Sequence, residues 1–187
     1  MSLFFAKRRR GKSASFTLVE MLTVILIIAI LMAITIMASE GVLNMAARSR
    51  ARAEIAAIGS ALENYKTDNG AYPTNDMGQS TNYATACLDP TAANYVDASQ
   101  NLFQSLTGLT NFTDQPEAVT TTNYISFKAN QVSGMTNTGV QDPFGYAYGY
   151  NTNSPFNGEG FFDLWSTGGA ISTTTNPMSN WISNWSQ

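Results

Sequence analysis

Few side chains in this sequence could take part in catalysis. The 187 residues include no histidine, so the usual general base and the commonest metal ligand are both missing. The single cysteine, Cys87, has no histidine to activate it and is better explained as a small buried hydrophobe. Asp142 and Asp163 are accounted for by structural roles, in a turn and in a strand respectively. The sequence therefore predicts a protein that is not an enzyme.

One carboxylate still needs an explanation. Glu20 stands directly before 19 residues without a formal charge, Met21 to Ser39. As a helix, at about 1.5 Å per residue, that run would cover roughly 28 Å, close to the hydrocarbon thickness of a bilayer. A carboxylate carried to the bilayer centre costs about 2.5–3.5 kcal/mol, and less near an interface. Glu20 is therefore expected to have a partner.

Three kinds of segment fit this apolar run to different degrees. A secretory signal peptide has a shorter apolar region, and Ile36 is not the small residue expected three positions before a cut after Ala38. A plain signal anchor explains the length of the run and the five preceding cations, but it gives Glu20 no role. The third kind is an apolar segment in which the carboxylate is used. The five cations are Lys7, Arg8, Arg9, Arg10 and Lys12.

An apolar segment whose leading carboxylate has a role resembles a known signal. The sequence Phe16-Thr-Leu-Val-Glu-Met21, after a basic leader, resembles the amino-terminal signal of type IV pilins and pseudopilins. The resemblance implies that a prepilin peptidase cuts between Ser15 and Phe16 and methylates the new amino terminus. It also implies that Glu20 pairs with the Phe16 amine of a neighbouring subunit, which suits the rule that buried charges are paired. Ser15 stands where the family usually has glycine, and because serine is also small we expect cleavage.

The chain that positions these residues divides into three predicted parts. Residues 1–15 are a leader that is removed, residues 16–70 form one long helix, and residues 71–187 form a periplasmic globular domain with a variable middle region, 74–140. Residues 16–39 of the helix are the transmembrane segment or filament core, and apolar residues continue beyond them at steps of three and four. No proline interrupts residues 16–72. From residue 16 onward the chain has five cationic and 13 acidic side chains, so its net charge is −8, which argues against nucleic-acid binding.

The rest of the chain predicts an α+β, pilin-like fold, in which the long helix packs on a small antiparallel sheet. We expect a short helix over 98–107 with Asp97 as its N-cap and Gly108 as its stop. Strands are predicted over 124–128, 146–150 and 161–167, with a turn at Asp142-Pro-Phe-Gly145. Two stretches resemble the major pseudopilins of type II secretion: the helix exit Leu62–Thr74, and the carboxy-terminal half over 141–185.

The resemblance also implies a structural calcium site after the turn that follows Ser166. Here this chain departs from the family, because residues 169–180 contain no carboxylate. Calcium takes several oxygen ligands, usually including Asp or Glu. Neutral groups of Asn176, Ser179 and Asn180 are the remaining calcium candidates, and a hydrogen-bonded loop pinned by Trp181 is the favoured alternative. We therefore expect no cofactor.

The expected function is that of a structural subunit of a periplasmic filament, with the major pseudopilin of a type II secretion system as the leading interpretation. A type IV pilin for adhesion, motility or DNA uptake is the alternative, and a monomeric membrane-anchored binding module is a second one. A lone cysteine allows no intramolecular disulfide, whereas many type IV pilins have one, and this favours the pseudopilin. Expected partners are further copies of the chain, prepilin peptidase, an inner-membrane assembly platform and minor pseudopilins. The expected location is the inner membrane, with the amino terminus cytoplasmic, and then the periplasmic filament.

Overall fold

The structure is a computed structural model that describes residues 16–74, 89–114, 123–152, 156–171 and 177–185. The predicted leader, residues 1–15, and Cys87 lie outside the described residues. The chain divides into two compact units, Met1–Leu43 and Asn44–Gln187.

A single long helix, α1 (Leu18–Asn69), contributes to both units, as predicted. It ends where Gly70 takes a φ of 79°, a left-handed conformation that glycine adopts without a steric penalty. The Gly70 N–H donates to the Lys66 carbonyl at 2.8 Å, which satisfies one carbonyl of the last turn. The predicted helix exit is therefore confirmed.

The second helix, α2 (Ala93–Thr107), begins five residues before its predicted start. Asp97 lies inside the helix, so its prediction as the N-cap is wrong. Ala92 is the N-cap residue and has no side-chain capping bond. The predicted end is confirmed, because Gly108 has a φ of 72° and its N–H donates to the Gln104 carbonyl at 2.8 Å. The predicted inward side chains, Leu102, Phe103 and Leu106, are all buried.

The strands are short and antiparallel. β1 (Val132–Ser133) pairs with β2 (Gly139–Val140), with Val132 opposite Val140. A second sheet contains β3 (Gly149–Asn151), β4 (Asp163–Ser166) and β5 (Ile182–Ser183). Its strand order is β3-β4-β5, with Tyr150 opposite Leu164 and Ser166 opposite Ile182.

The predicted α+β class is confirmed, but the structure has less strand than predicted in these segments. The observed β3 overlaps the predicted span 146–150 only at residues 149–150 and ends one residue beyond it, and β4 occupies only part of the predicted span 161–167. The predicted strand over 124–128 is wrong. The Tyr124 N–H bonds to the Leu106 carbonyl at the end of α2, and the segment leads into a 3-10 turn, Ala129–Gln131, without joining a sheet.

The core of the second unit lies where α1, α2 and the sheet meet. One face of α1 contributes Ala51, Ile55, Ile58 and Leu62, all buried. These side chains share a cluster with residues of α2 and with three buried residues of the sheet region, Tyr148, Tyr150 and Leu164. An adjoining cluster contains Tyr95, Ala98, Trp165 and Trp181.

Within the second cluster the indoles of Trp165 and Trp181 stack with centroids 5.6 Å apart. The Trp165 indole Nε1–H donates to the Tyr95 hydroxyl at 2.7 Å. Gly149 allows this packing, because a Cβ there would lie 2.1 Å from Trp165 Cε2. The side chains of α2 and β4 are thus fastened to each other.

Candidate functional site

The candidate site is the amino-terminal end of α1, where Thr17 caps the helix. The Thr17 Oγ1 accepts a bond from the Glu20 N–H at 3.3 Å. In return Glu20 Oε2 accepts the Thr17 backbone N–H at 2.8 Å and the Thr17 hydroxyl at 2.7 Å. This reciprocal arrangement is a capping box, in which two residues three positions apart satisfy each other's backbone donors.

The capping box holds Glu20 by one of its two oxygens. Among the described residues no donor bonds to Glu20 Oε1. The carboxylate therefore has one oxygen fixed by its own helix and one that can accept a bond from outside. Its position in the first helical turn is also favourable, because the amino-terminal end of a helix carries a partial positive charge.

Phe16 lies just before the helix and is 75% exposed. Its backbone is not part of α1, which begins at Leu18. Ser15, the other predicted processing residue, lies outside the described residues. The structure therefore brings Thr17 and Glu20 together and leaves Phe16 accessible beside them.

An apolar surface follows this site along α1. Every large apolar side chain from Leu18 to Ile36 is exposed, and the least exposed, Ile28, still shows 44% of its surface. Two hydroxyls in this stretch bond to their own helix: Thr23 Oγ1 donates to the Glu20 carbonyl at 2.9 Å, and Thr35 Oγ1 to the Leu31 carbonyl at 2.7 Å. Such internal bonds let a polar side chain enter an apolar environment at low cost.

By length and composition, α1 qualifies as a helix that could cross a membrane. Its most apolar window of 18 residues has no part buried inside the protein. The surface between Leu18 and Ile36 thus needs either lipid or other helices to cover it.

The buried carboxylates of the second unit serve structure. Glu54 is 8% exposed, and it accepts bonds from Arg50 Nε at 2.8 Å, Gln131 Nε2 at 3.1 Å and the Tyr148 hydroxyl at 2.8 Å. A cavity of about 480 Å³ beside it is lined by Arg50, Lys128 and Gln131 together with apolar side chains. Since three donors already bond to Glu54, its carboxylate acts as a structural link between α1 and the segments around it.

Asp142 has a comparable role in the predicted turn. Its carboxylate accepts bonds from the Ser166 hydroxyl and from the backbone N–H groups of Phe144 and Tyr146. The Gly145 N–H donates to the Asp142 carbonyl at 2.9 Å, which confirms the turn. Burial raises the pKa of Asp142 above its usual value, and the nearby Glu54 adds to this, while the three hydrogen bonds oppose it.

The calcium candidates are placed only in part. Ser179 and Asn180 lie in a 3-10 turn, Pro177–Asn180, and both are exposed, whereas Asn176 lies outside the described residues. The Asn180 carbonyl accepts a bond from Arg48 of α1 at 3.1 Å. The described part of the chain contains no group of three or more His, Cys, Asp or Glu side chains placed to hold a metal.

The contribution of Thr17 was missed at the sequence level, although a signal for it was present. Thr17 and Glu20 have the Thr-x-x-Glu spacing of a capping box, directly before an apolar run. The Arg48–Asn180 contact was also missed, and it has no local signal because 132 residues separate its two members.

Comparisons with known proteins agree with the geometry at this end of the chain. Residues 10–36 match a family model described as the prokaryotic N-terminal methylation motif, and residues 40–100 match one described as type II secretion system (T2SS), protein G. Over residues 40–100 the chain is therefore similar to type II secretion system protein G. Residues 10–36 include both Phe16 and Glu20, so the predicted resemblance of the amino-terminal signal is confirmed.

Several curated relatives carry the name type II secretion system core protein G. The protein from Escherichia coli (strain K12) is 36% identical over 88 residues, which cover 47% of this chain and 61% of that protein. The Vibrio cholerae protein is 33% identical over 88 residues, covering 47% and 60%, and the Pseudomonas aeruginosa protein is 36% identical over 70 residues, covering 37% and 49%.

The similarity to these pseudopilins is confined to part of each protein. This chain spans about three fifths of the length of the first relatives it matches. The family models end at residue 100, so the resemblance predicted for residues 141–185 stays a prediction. No solved structure matches the chain.

Proposed function

We propose that this chain is the structural subunit of a periplasmic pseudopilus, and specifically the major pseudopilin of a type II secretion system. The observation that carries the proposal is Glu20 at the head of the apolar helix, which Thr17 holds through Oε2 and whose Oε1 accepts no bond from the described residues. This residue lies inside the matched methylation motif, and the protein G match begins just beyond the apolar run.

The first step of the proposal is processing. A prepilin peptidase cuts between Ser15 and Phe16, removes the basic leader and methylates the amine of Phe16. The exposure of Phe16 ahead of the first helical turn supports this step, because a protease needs an accessible, non-helical bond. The matched motif, residues 10–36, spans the bond.

The second step is assembly through Glu20. The amine of Phe16 on a neighbouring subunit bonds to Glu20 Oε1, while Thr17 keeps the carboxylate in place through Oε2. The pair brings two opposite charges into the apolar bundle together, and an unpaired charge there would cost several kcal/mol. Only the copies that align Phe16 with Glu20 form this pair, so it also sets the register of the helices.

The third step is location. The five leader cations favour a cytoplasmic amino terminus, and the remainder of the chain is then periplasmic. The apolar surface between Leu18 and Ile36 is covered by lipid before assembly and by neighbouring helices afterwards. Partners in this scheme are an inner-membrane assembly platform and minor pseudopilins, and the chain has a structural rather than an enzymatic role.

Two measurements test the proposal. Intact-mass analysis of the mature protein is expected to show a methylated amino terminus at Phe16, and a retained leader or a start at Ser39 would contradict it.

Glu20→Gln keeps the shape of the side chain and removes its charge, so it is expected to be cleaved normally but to form few filaments. Glu40→Gln, at the other end of the uncharged run, is the matched control. Normal filaments from Glu20→Gln would refute the pairing.

Deletion of the gene separates the alternatives. Loss of secreted enzymes without loss of surface fibres supports the type II secretion role. Loss of fibres or twitching motility would identify a type IV pilin instead. A mature protein that stays monomeric when overproduced would favour a membrane-anchored binding module.

A further inference from the structure

The residues of this chain do not fit the calcium site that its resemblance to pseudopilins implies. Residues 169–180 contain no carboxylate. Calcium takes six to eight oxygen ligands in proteins, and carboxylates supply most of the charge that holds it. Of the three neutral candidates, Asn180 already gives its backbone carbonyl to another cation, the guanidinium of Arg48.

Arg48 reaches this carbonyl from α1. Its Nη1 donates to the Asn180 oxygen at 3.1 Å. Asn180 closes the 3-10 turn Pro177–Asn180, and only Trp181 separates it from β5. A guanidinium carries a positive charge, and its planar donors suit carbonyl oxygens. A positive charge from α1 therefore lies at the segment that leads into β5.

The turn after β4 closes around the same contact. A Cβ on Gly168 would lie 2.4 Å from the Asn180 oxygen and 3.0 Å from Arg48 Nη1. Gly168 also has a φ of 65°, a left-handed conformation that favours glycine. The turn thus approaches as closely as a residue without a side chain allows, and three segments meet at one carbonyl.

We propose that Arg48 is the cation that fastens the segment before β5 to α1, and that this chain folds independently of calcium. The guanidinium supplies, from within the chain, a positive charge and directed donors for a backbone carbonyl. The consequence reaches the core, because Asn180 is followed by Trp181, which is buried and stacks on Trp165. The proposal concerns the fold alone and does not depend on the proposed function.

Tryptophan fluorescence reports on this contact directly. The chain has three tryptophans, and all of them, Trp165, Trp181 and Trp185, lie in or against the cluster next to Asn180. The test is thermal unfolding of the full-length protein in detergent, followed by tryptophan emission, with EDTA or with added CaCl₂. We expect the Tm to be the same, within about 1 °C, under both conditions.

Arg48→Met is expected to lower the Tm by about 2–4 °C, the shift that corresponds to one exposed hydrogen bond in a chain of this size. It is also expected to shift the emission to the red as Trp181 becomes more exposed. Arg48→Lys keeps the charge and is expected to lose less. Arg52→Met is the matched control, because Arg52 is exposed on the same helix and bonds to no described residue.

Gly168→Ala provides a second test, since a methyl group there would displace the Asn180 carbonyl without removing the cation. The Arg48→Met and Gly168→Ala effects are expected to be non-additive, because both act on one contact. A drop of several degrees in EDTA that calcium reverses would overturn the proposal. So would an Arg48→Met protein that matches Arg52→Met in Tm and emission.

Discussion

The hydrogen bond from Tyr148 to Glu54 joins the segment before β3 to the long helix, and Tyr148→Phe would remove it alone. The Tyr148 hydroxyl donates to Glu54 Oε2 at 2.8 Å, and both side chains are buried. Burial, with the adjacent charge of Glu54, raises the pKa of Tyr148 far above its usual value. The hydroxyl therefore stays protonated at neutral pH and remains a donor.

The stability lost in Tyr148→Phe depends on the hydrogen bonds that Glu54 retains. After Tyr148→Phe, Glu54 Oε1 still accepts from Arg50 Nε at 2.8 Å and from Gln131 Nε2 at 3.1 Å, so the charge stays paired, but Oε2 loses the donor that Tyr148 supplied. The loss is then that of one hydrogen bond to a charged group, about 1.5–3 kcal/mol in free energy of unfolding. For a chain of this size, that loss lowers the Tm by about 3–12 °C.

Thermal unfolding of the full-length protein in detergent measures this effect. Tyr146→Phe is the control, because it lies in the same tyrosine-rich segment and its hydroxyl bonds to no described residue. Glu54→Ala is expected to cost more than Tyr148→Phe, since it leaves the Tyr148 hydroxyl buried without its acceptor. A Tyr148→Phe protein with the same Tm as the control would refute the argument that this bond stabilises the fold.

The parts of the fold that sequence reasoning predicted correctly depend on local signals. The length of α1 follows from an apolar pattern without proline, and its end follows from Gly70 in a left-handed conformation. The turn at Asp142 and the end of α2 at Gly108 have equally local causes. At the two helix ends and at the turn, the residues that decide the structure lie within four positions of one another.

The parts that were predicted wrongly depend on distant partners. The first turns of α2 contain Tyr95, whose hydroxyl accepts a bond from Trp165, 70 residues further along the chain. Tyr124 has the residues of a strand around it, but its N–H bonds to the end of α2 instead. No local pattern indicates either partner, so the predicted helix began too late and the predicted strand did not form.

In the candidate site, too, some features could be predicted from local sequence and others could not. Glu20 could be singled out from the sequence because one carboxylate in a long uncharged run has an obvious cost, and Thr17 could have been found from its spacing. That Thr17 occupies one carboxylate oxygen and leaves the other open is visible only in the structure. The Arg48–Asn180 contact needs the complete fold, because its members lie at opposite ends of the second unit's sequence.

Two further predictions concern the packing and the charge of the second unit. Gly149→Ala is expected to destabilise the fold by about 1–3 kcal/mol, because its Cβ would lie 2.1 Å from Trp165 Cε2. Gly59→Ala is expected to stabilise α1 by about 0.5–1 kcal/mol, because its Cβ would lie at an ordinary 3.6 Å from Phe162. Equal Tm values for the two variants would contradict this. Asp142→Asn tests the effect of burial on pKa. Since the folded pKa of Asp142 is raised, folding favours its protonated form, and its contribution to stability is present below the ordinary carboxyl pKa and is lost as the pH rises through the raised value. The asparagine variant does not titrate there, so its Tm relative to the wild type is expected to increase as the pH rises from 3 through that window. Other carboxylates titrate in both proteins and cancel in the comparison, and parallel Tm curves from pH 3 to pH 8 would show that burial does not raise the pKa of Asp142.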